Sequence, residues 1–207
     1  MKIKISLIFL ILISSFTYLY AEVEELVVTG TLLENTEQDS SPVDIITEED
    51  YKNFNISNIA EISKYLSSSS GSHFQSNTLD GVDQGMNAIT LRGLDQASTL
   101  LLINSKRQTF AGTPSNEGEG YIDANIIPEI ALKRIEVLKE GATSLYGSDA
   151  VAGVINIITH KNFSGLKVQA GHKKTSNYNQ TDSSLGLLFG SSYKKTSYVL
   201  GINLLKR

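Results

Sequence analysis

The 207-residue chain has no cysteine, and this absence alone removes a good deal of chemistry. Disulfide staples, thiolate metal sites and a cysteine nucleophile are excluded, although an exported chain is free to have none, so location stays open. Histidine is scarce as well: His73, His160 and His172 are scattered, and none belongs to a His-Glu-x-x-His pattern. No Gly-x-Ser-x-Gly elbow occurs, so hydroxyl, lysine and carboxylate nucleophiles stand in no recognisable setting. The glycine-bearing stretch 141–148 lacks the Gly-Lys-Ser/Thr ending of a phosphate loop. Asn77, Asp80 and Asp83 lack the twelfth-position Glu and further ligands of a calcium loop, so a solvated acidic loop is the better reading. No enzyme, cofactor or metal site is expected.

Positive charge is also in short supply. Residues 1–21 hold Lys2 and Lys4 but no acid, and without them 16 basic residues face 22 acidic ones, a net charge of −6. Nucleic acid is therefore not an expected partner, because phosphate binding needs clustered Lys and Arg. Residues 1–21 do contain the order of a secretory signal: two lysines, an apolar run over 5–13 broken only by Ser6, and a small residue, Ala21, at the expected cleavage point. The run is shorter than the roughly 20 residues of a membrane-crossing helix, and Ser14, Ser15 and Thr17 dilute the second half of the segment.

Residues 22–41 are polar except for the β-prone Leu26-Val27-Val28-Thr29, too short to make a core of its own. From 42 to 161 short strands alternate with small helices. A strand is expected over 43–46, then a helix that Thr47-Glu48-Glu49-Asp50 opens as a capping box and that ends near Asn53. A second helix comes next, capped by Ser57, burying Ile59, Ile62 and Leu66 and turning Glu61 and Lys64 outward. Residues 88–91 and 99–103 read as strands, the latter ending in a turn at Asn104-Ser105. Because Ser replaces the Gly that best suits two successive positive φ angles, a loose turn is expected there. Residues 111–120 form a loop, and Pro128 opens a short helix. Arg134 and Glu136 alternating with Ile135 and Val137 predict a half-buried strand over 133–139. Residues 141–147 suit a helical turn closed by a left-handed glycine, and 154–159 is a last strand.

After Lys161 the composition changes. Residues 166–172, 184–190 and 197–204 are rich in apolar residues, Gly and Tyr and resemble strands of a membrane barrel. A barrel needs at least about eight strands of about 9 to 11 residues, so roughly 46 residues cannot close one. The chain is accordingly read as a fragment of a longer protein or a truncated product of one. The expected fold class is α+β: a small mixed four-stranded sheet with short helices, and then antiparallel strands of an incomplete β-barrel.

Three stretches together resemble the TonB-dependent outer-membrane receptor family. They are Glu25-Leu26-Val27-Val28-Thr29-Gly30; Ile89-Thr90-Leu91-Arg92-Gly93-Leu94 with Thr99-Leu100-Leu101-Leu102-Ile103-Asn104; and the run from Ile122-Asp123 through Arg134-Ile135-Glu136-Val137-Leu138-Lys139 to Tyr146-Gly147-Ser148-Asp149 and Val154-Ile155-Asn156-Ile157-Ile158-Thr159. The resemblance implies four parts: signal peptide 1–21, flexible segment with TonB box 22–41, plug domain 42–161 and first barrel strands 162–207. It implies that Glu25, Leu26, Val27, Val28 and Thr29 bind the energy-coupling protein TonB, by strand addition in which Leu26 and Val27 face opposite ways. It implies a small nutrient ligand, an iron–siderophore, cobalamin or a saccharide, met by loops at 71–87 and 111–120 through His73, Phe74, Gln75 and Tyr121. It also implies that Arg92 and Arg134 meet carboxylates of the barrel wall; pairing with Glu136 or Glu140 inside the plug stays open beside it. The competing reading is a stand-alone exported binding domain in the periplasm that uses the plug fold without a pore.

Overall fold

The structure is a computed structural model and describes residues 43–54, 56, 59–69, 87–112, 114–115, 118–139, 142–174, 181–193 and 196–206. The expected signal peptide 1–21, the segment 22–41 and the residues 71–86 fall outside these residues.

The chain enters on β1 (Val43–Thr47) and turns into helix α1 (Glu48–Asn53). Thr47 caps that helix: its Oγ1 accepts from the Asp50 N–H at 3.2 Å while Asp50 Oδ2 accepts from the Thr47 N–H at 2.9 Å, the reciprocal box expected from the sequence. The second helix is a 3-10 helix, Ile59–Lys64. A period of three residues stacks Ile59 over Ile62 on one edge, and both are buried together with Leu66.

Five strands form the first sheet, in the order β1-β4-β5-β2-β3. Beyond β1 these are β2 (Thr99–Ile103), β3 (Lys106–Arg107), β4 (Leu132–Leu138) and β5 (Gly153–Thr159). The β2–β5 pair is parallel and the other pairs are antiparallel, so the sheet is mixed. Four strands carry it, and β3 adds a two-residue hairpin return. One face buries Ile135, Val137, Ile155 and Ile157 against Ile62, Leu91 and Ile127. The other buries Leu100, Leu102, Leu138 and Val154 under α2 (Ala142–Tyr146), which Gly147 closes at φ 82°.

Three sequence expectations change. Residues 88–91 are buried but are not a strand. Their backbone bonds go elsewhere: the Leu91 N–H donates to Thr99 Oγ1 at 3.0 Å, and Ser69 Oγ donates to the Thr90 carbonyl at 3.0 Å. The turn at Asn104 and Ser105 is tight, with φ of 50° and 64°. Side chains hold it there, because Asn104 Oδ1 accepts from the Thr159 N–H at 3.0 Å and the Ser105 N–H donates to Asn156 Oδ1 at 2.9 Å. Strand β4 is buried on both faces, since Arg134 and Glu136 point the same way and pair with each other.

A second sheet comes after it, β6 (Gly165–Lys174), β7 (Thr181–Tyr193) and β8 (Thr196–Lys206), antiparallel in chain order. The register places Leu166, Val168, Leu185, Leu187, Phe189, Leu200, Ile202 and Leu204 on one face, all exposed. The opposite face carries Lys167, Gln169, Lys173, Asp182, Ser184, Gly186, Leu188, Gly201 and Asn203, and it rests on the first domain. Apolar outside and mostly polar inside, at period two, is the pattern of a barrel wall in lipid.

Candidate functional site

The first sheet with its helices sits on the inner face of β6–β8, and three kinds of contact join them. The first is ionic. Glu48, the opening residue of α1, receives Lys167 of β6 at 2.6 Å and its own helix neighbour Lys52 at 2.5 Å. His160, at the exit from β5, stands 3.3 Å from the other oxygen of that carboxylate. These contacts, the His160 bond foremost, hold the Glu48 carboxyl well below its ordinary value despite partial burial. Farther along β6, Lys173 reaches Glu61 of the 3-10 helix at 3.5 Å.

The second contact is steric. The turn led by Pro128 into the 3-10 helix Glu129–Ala131 lies in a notch of β7 and β8 made by two glycines. A Cβ on Gly186 would stand 3.0 Å from Ile130 Cδ1, and one on Gly201 would stand 3.3 Å from Ala131 Cβ. Leu188, between them on the inner face, is fully buried. Burying such a side chain contributes about 1.5 to 3 kcal/mol, more than an exposed ion pair gives.

The third is a cavity of about 120 Å³ between α1, the Glu129 turn and the inner side of β6 and β7. Burial pushes the Glu129 carboxyl up to about 7 from 4.5; Lys173 pulls against that shift and Glu61 adds to it. Burial, with the charges of Glu129 and Glu61, also holds the Tyr51 phenol above its ordinary range.

Of the residues expected to act, Glu25 to Thr29 and His73, Phe74 and Gln75 lie outside the described residues. Arg134 is 6% exposed, and its Nε donates to Glu136 Oε1 at 2.8 Å; Glu136 is fully buried and also accepts from Asn156 Nδ2 at 3.4 Å. Of the two partners left open for Arg134, the internal one is thus filled. Arg92 sits at φ 58° on the surface, its NH2 donating to the Lys139 carbonyl at 2.5 Å. Tyr121 corrects an expectation: it is 7% exposed and packed on Ala88, not open to a ligand. The exposed aromatic of that region is Phe110, 59% accessible, with its ring over Gly120. The Glu48, Glu61 and Glu129 contacts with the wall carried no local sequence signal. Among the described residues no cluster of His, Asp or Glu suits a metal ion.

Residues 35–154 match the model of the TonB-dependent receptor plug domain. The chain belongs to the TonB-dependent receptor family. Among curated relatives, the iron-regulated outer membrane virulence protein of Vibrio cholerae is 46% identical over 74 residues, covering 35% of this chain and 11% of that protein. The probable TonB-dependent siderophore receptor PirA of Acinetobacter baumannii is 34% identical over 127 residues, 58% of this chain and 16% of its own length. The crystal structure of that species' PirA matches with a TM-score of 0.55 at 25% identity, over 79% of this chain and 24% of the receptor. A ferric enterobactin receptor, PfeA of Pseudomonas aeruginosa, shares the fold with a TM-score of 0.59 at 24% identity, over 80% of this chain and 24% of that one. The chain thus spans less than a quarter of each of these four proteins. In receptor terms the first domain is the plug, β6–β8 are wall strands, and the contacts just described are a plug–wall seam.

Proposed function

We propose that this chain supplies the plug and opening wall strands of an outer-membrane receptor that imports an iron–siderophore complex. The observation that carries the reading is the plug fold seated on three strands with an apolar outer and a polar inner face, which suits a membrane wall around a gate. Relatives named as siderophore receptors and as iron-regulated favour iron over cobalamin or a saccharide. A stand-alone periplasmic domain would leave Leu166, Leu200, Leu204 and their neighbours facing water, an apolar surface larger than soluble monomers usually carry.

In this reading residues 1–21 direct export and are removed, 22–41 present Glu25 to Thr29 to TonB, 42–161 form the gate and 162–207 begin the wall. Strand addition at Leu26 to Thr29 grips the chain just ahead of β1, so a pull is delivered to the end of the sheet next to β4. Arg92 is assigned a wall carboxylate beyond β6–β8, Arg134 the plug–wall boundary beside Glu136, and the loops 71–87, with His73, Phe74 and Gln75, and 111–120 the nutrient side. Iron-limited cells expressing the chain from its native locus should take up labelled ferric siderophore, and Leu26→Pro should abolish both uptake and crosslinking to TonB. Uptake and crosslinking equal to wild type in Leu26→Pro would remove the coupling segment from the scheme.

A further inference from the structure

The Glu48–Lys167 and Glu61–Lys173 pairs tie the plug to β6, and between them the cavity holds a further carboxyl, Glu129. Tyr51 and Lys52 line it from α1, Glu129 from the turn after Pro128, His172 and Lys173 from β6, and Asp182 from β7. Glu61 comes to Lys173 from the neighbouring 3-10 helix at 3.5 Å, and Lys52 is drawn to Glu48 at 2.5 Å. Lys173 thus pairs with Glu61 and, lining the same cavity as Glu129, acts on that second carboxyl through its charge. Asp182 Oδ1 is buried there with no hydrogen-bond partner among the described residues, and the Tyr51 hydroxyl is buried facing the Glu129 carboxyl, whose charged form it favours. At about 30 Å³ per molecule the cavity has room for a few waters, and orphaned polar atoms are the groups such waters serve.

We propose that Glu129 is a proton-binding site of the plug–wall seam, and that loss of its proton loosens the plug from β6 and β7. With the proton bound, Glu129 is a neutral acid in the cavity and Lys173 is left to Glu61. Without it, the carboxylate competes with Glu61 for one lysine, faces Asp182 across the cavity and draws water into the seam. The proposal rests on the plug reading but not on which nutrient is carried. Its sign comes from linkage. A carboxyl held at about 7 in the docked plug, against 4.5 when released, binds the proton more tightly when docked. That contribution is fully present below about 4.5 and is lost as pH rises through about 7.

These 207 residues contain no cysteine, so Ile56→Cys places a new thiol on the cavity wall. The test is maleimide labelling of that thiol in outer-membrane vesicles, with the chain expressed from its native locus. Rates are divided by those of an exposed reference, Lys106→Cys, which cancels thiol ionisation. Between about pH 5 and about 8.5 the ratio should rise roughly tenfold with a midpoint near 7. Adding Glu129→Gln should leave it low and flat. Adding Glu61→Gln should move the midpoint down by roughly one unit, because Lys173 then serves Glu129 alone. An unchanged profile in Glu129→Gln, or an unmoved midpoint in Glu61→Gln, would overturn the proposal. If Ile56→Cys fails to reach the membrane, Gln169→Cys on β6 reports on the same cavity. Iron uptake by the same cells separates the two readings. A titrating seam without uptake removes the transport reading alone, and a flat seam with uptake removes the proton site alone.

Discussion

Glu136 is the most demanding residue of the plug, a carboxylate with no solvent exposure in the middle of a central strand. It is tolerated because Arg134 Nε donates to it at 2.8 Å and Asn156 from β5 adds a second donor. Such a pair is weak evidence for stability as a unit but costly to break, because the survivor is left charged and buried. Glu136→Ala should therefore destabilise the plug by about 3 to 5 kcal/mol, whereas Arg134→Met with Glu136→Leu should recover most of the loss. Urea titration of plug protection against protease measures both. A Glu136→Ala cost no larger than that of the double variant would show that the pair does not act as argued. The sequence made the partnership of these two residues thinkable but not decidable, since residues two apart on a strand share a face whether or not that face meets water. Glu48 gives a second prediction. Its carboxyl is held well below the ordinary 4.5, first by His160 within the plug and then by Lys167 of β6, so its contribution to the plug and, through Lys167, to docking is present above about 4.5 and lost as pH falls below that value. Glu48→Gln should weaken docking at neutral pH yet flatten the loss on acidification, read by the same protease assay from about pH 6 to about pH 3.

At the scale of elements, the legible features were those whose signal lay within a few residues. The Thr47–Asp50 box, the positive φ at Gly147 and the period-two alternation of β6–β8 were all found in place. The illegible ones depended on partners distant in sequence. Residues 88–91 have the composition of a strand, but Ser69 and Thr99 take the backbone bonds of Thr90 and Leu91, the Arg92 N–H donates to the Ser68 carbonyl, and Arg92 and Gly93 stand at positive φ. The Asn104-Ser105 turn looked loose because the bonds that hold it come from β5. The short helix expected at Pro128 is present as Glu129–Ala131, but what it docks into shows only when Gly186 and Gly201 are seen opposite it. Its fit there is testable. Gly186→Val would place its Cβ 3.0 Å from Ile130 Cδ1 and 3.1 Å from Ile130 Cβ, and its two methyl groups would crowd the turn further. Overpacking of this kind costs about 1 to 3 kcal/mol, so the plug should release at lower urea while the wall strands stay paired. Ile130→Ala removes Cδ1 but keeps the Cβ, so with Gly186→Val it should recover part of the midpoint, and no recovery at all would locate the damage in the wall.

On the proposed function, the seam of the whole molecule has to satisfy two opposing needs, to seal a pore at rest and to part when the chain is pulled ahead of β1. Its composition suits that balance. Partly exposed ion pairs such as Glu48–Lys167 and Glu61–Lys173 give about 0 to 1 kcal/mol each, and the glycine notch with Leu188 supplies the larger, non-directional part. If parting at this seam is required for transport, a covalent bond across it must stop transport while leaving the fold intact. The notch offers the place: the Cβ positions of residues 131 and 201 lie 3.3 Å apart, within a few tenths of the span of a disulfide, about 3.5 to 4.5 Å. The native chain contributes no competing thiol among these residues. Ala131→Cys with Gly201→Cys should crosslink in the oxidising periplasm, reduce ferric siderophore uptake at least about tenfold and regain it on adding reductant. Either single substitution should transport normally, which controls for damage to the notch. Undiminished uptake by the fully crosslinked receptor would mean that the path opens elsewhere in the plug, with the Pro128 turn staying docked on β7 and β8 throughout.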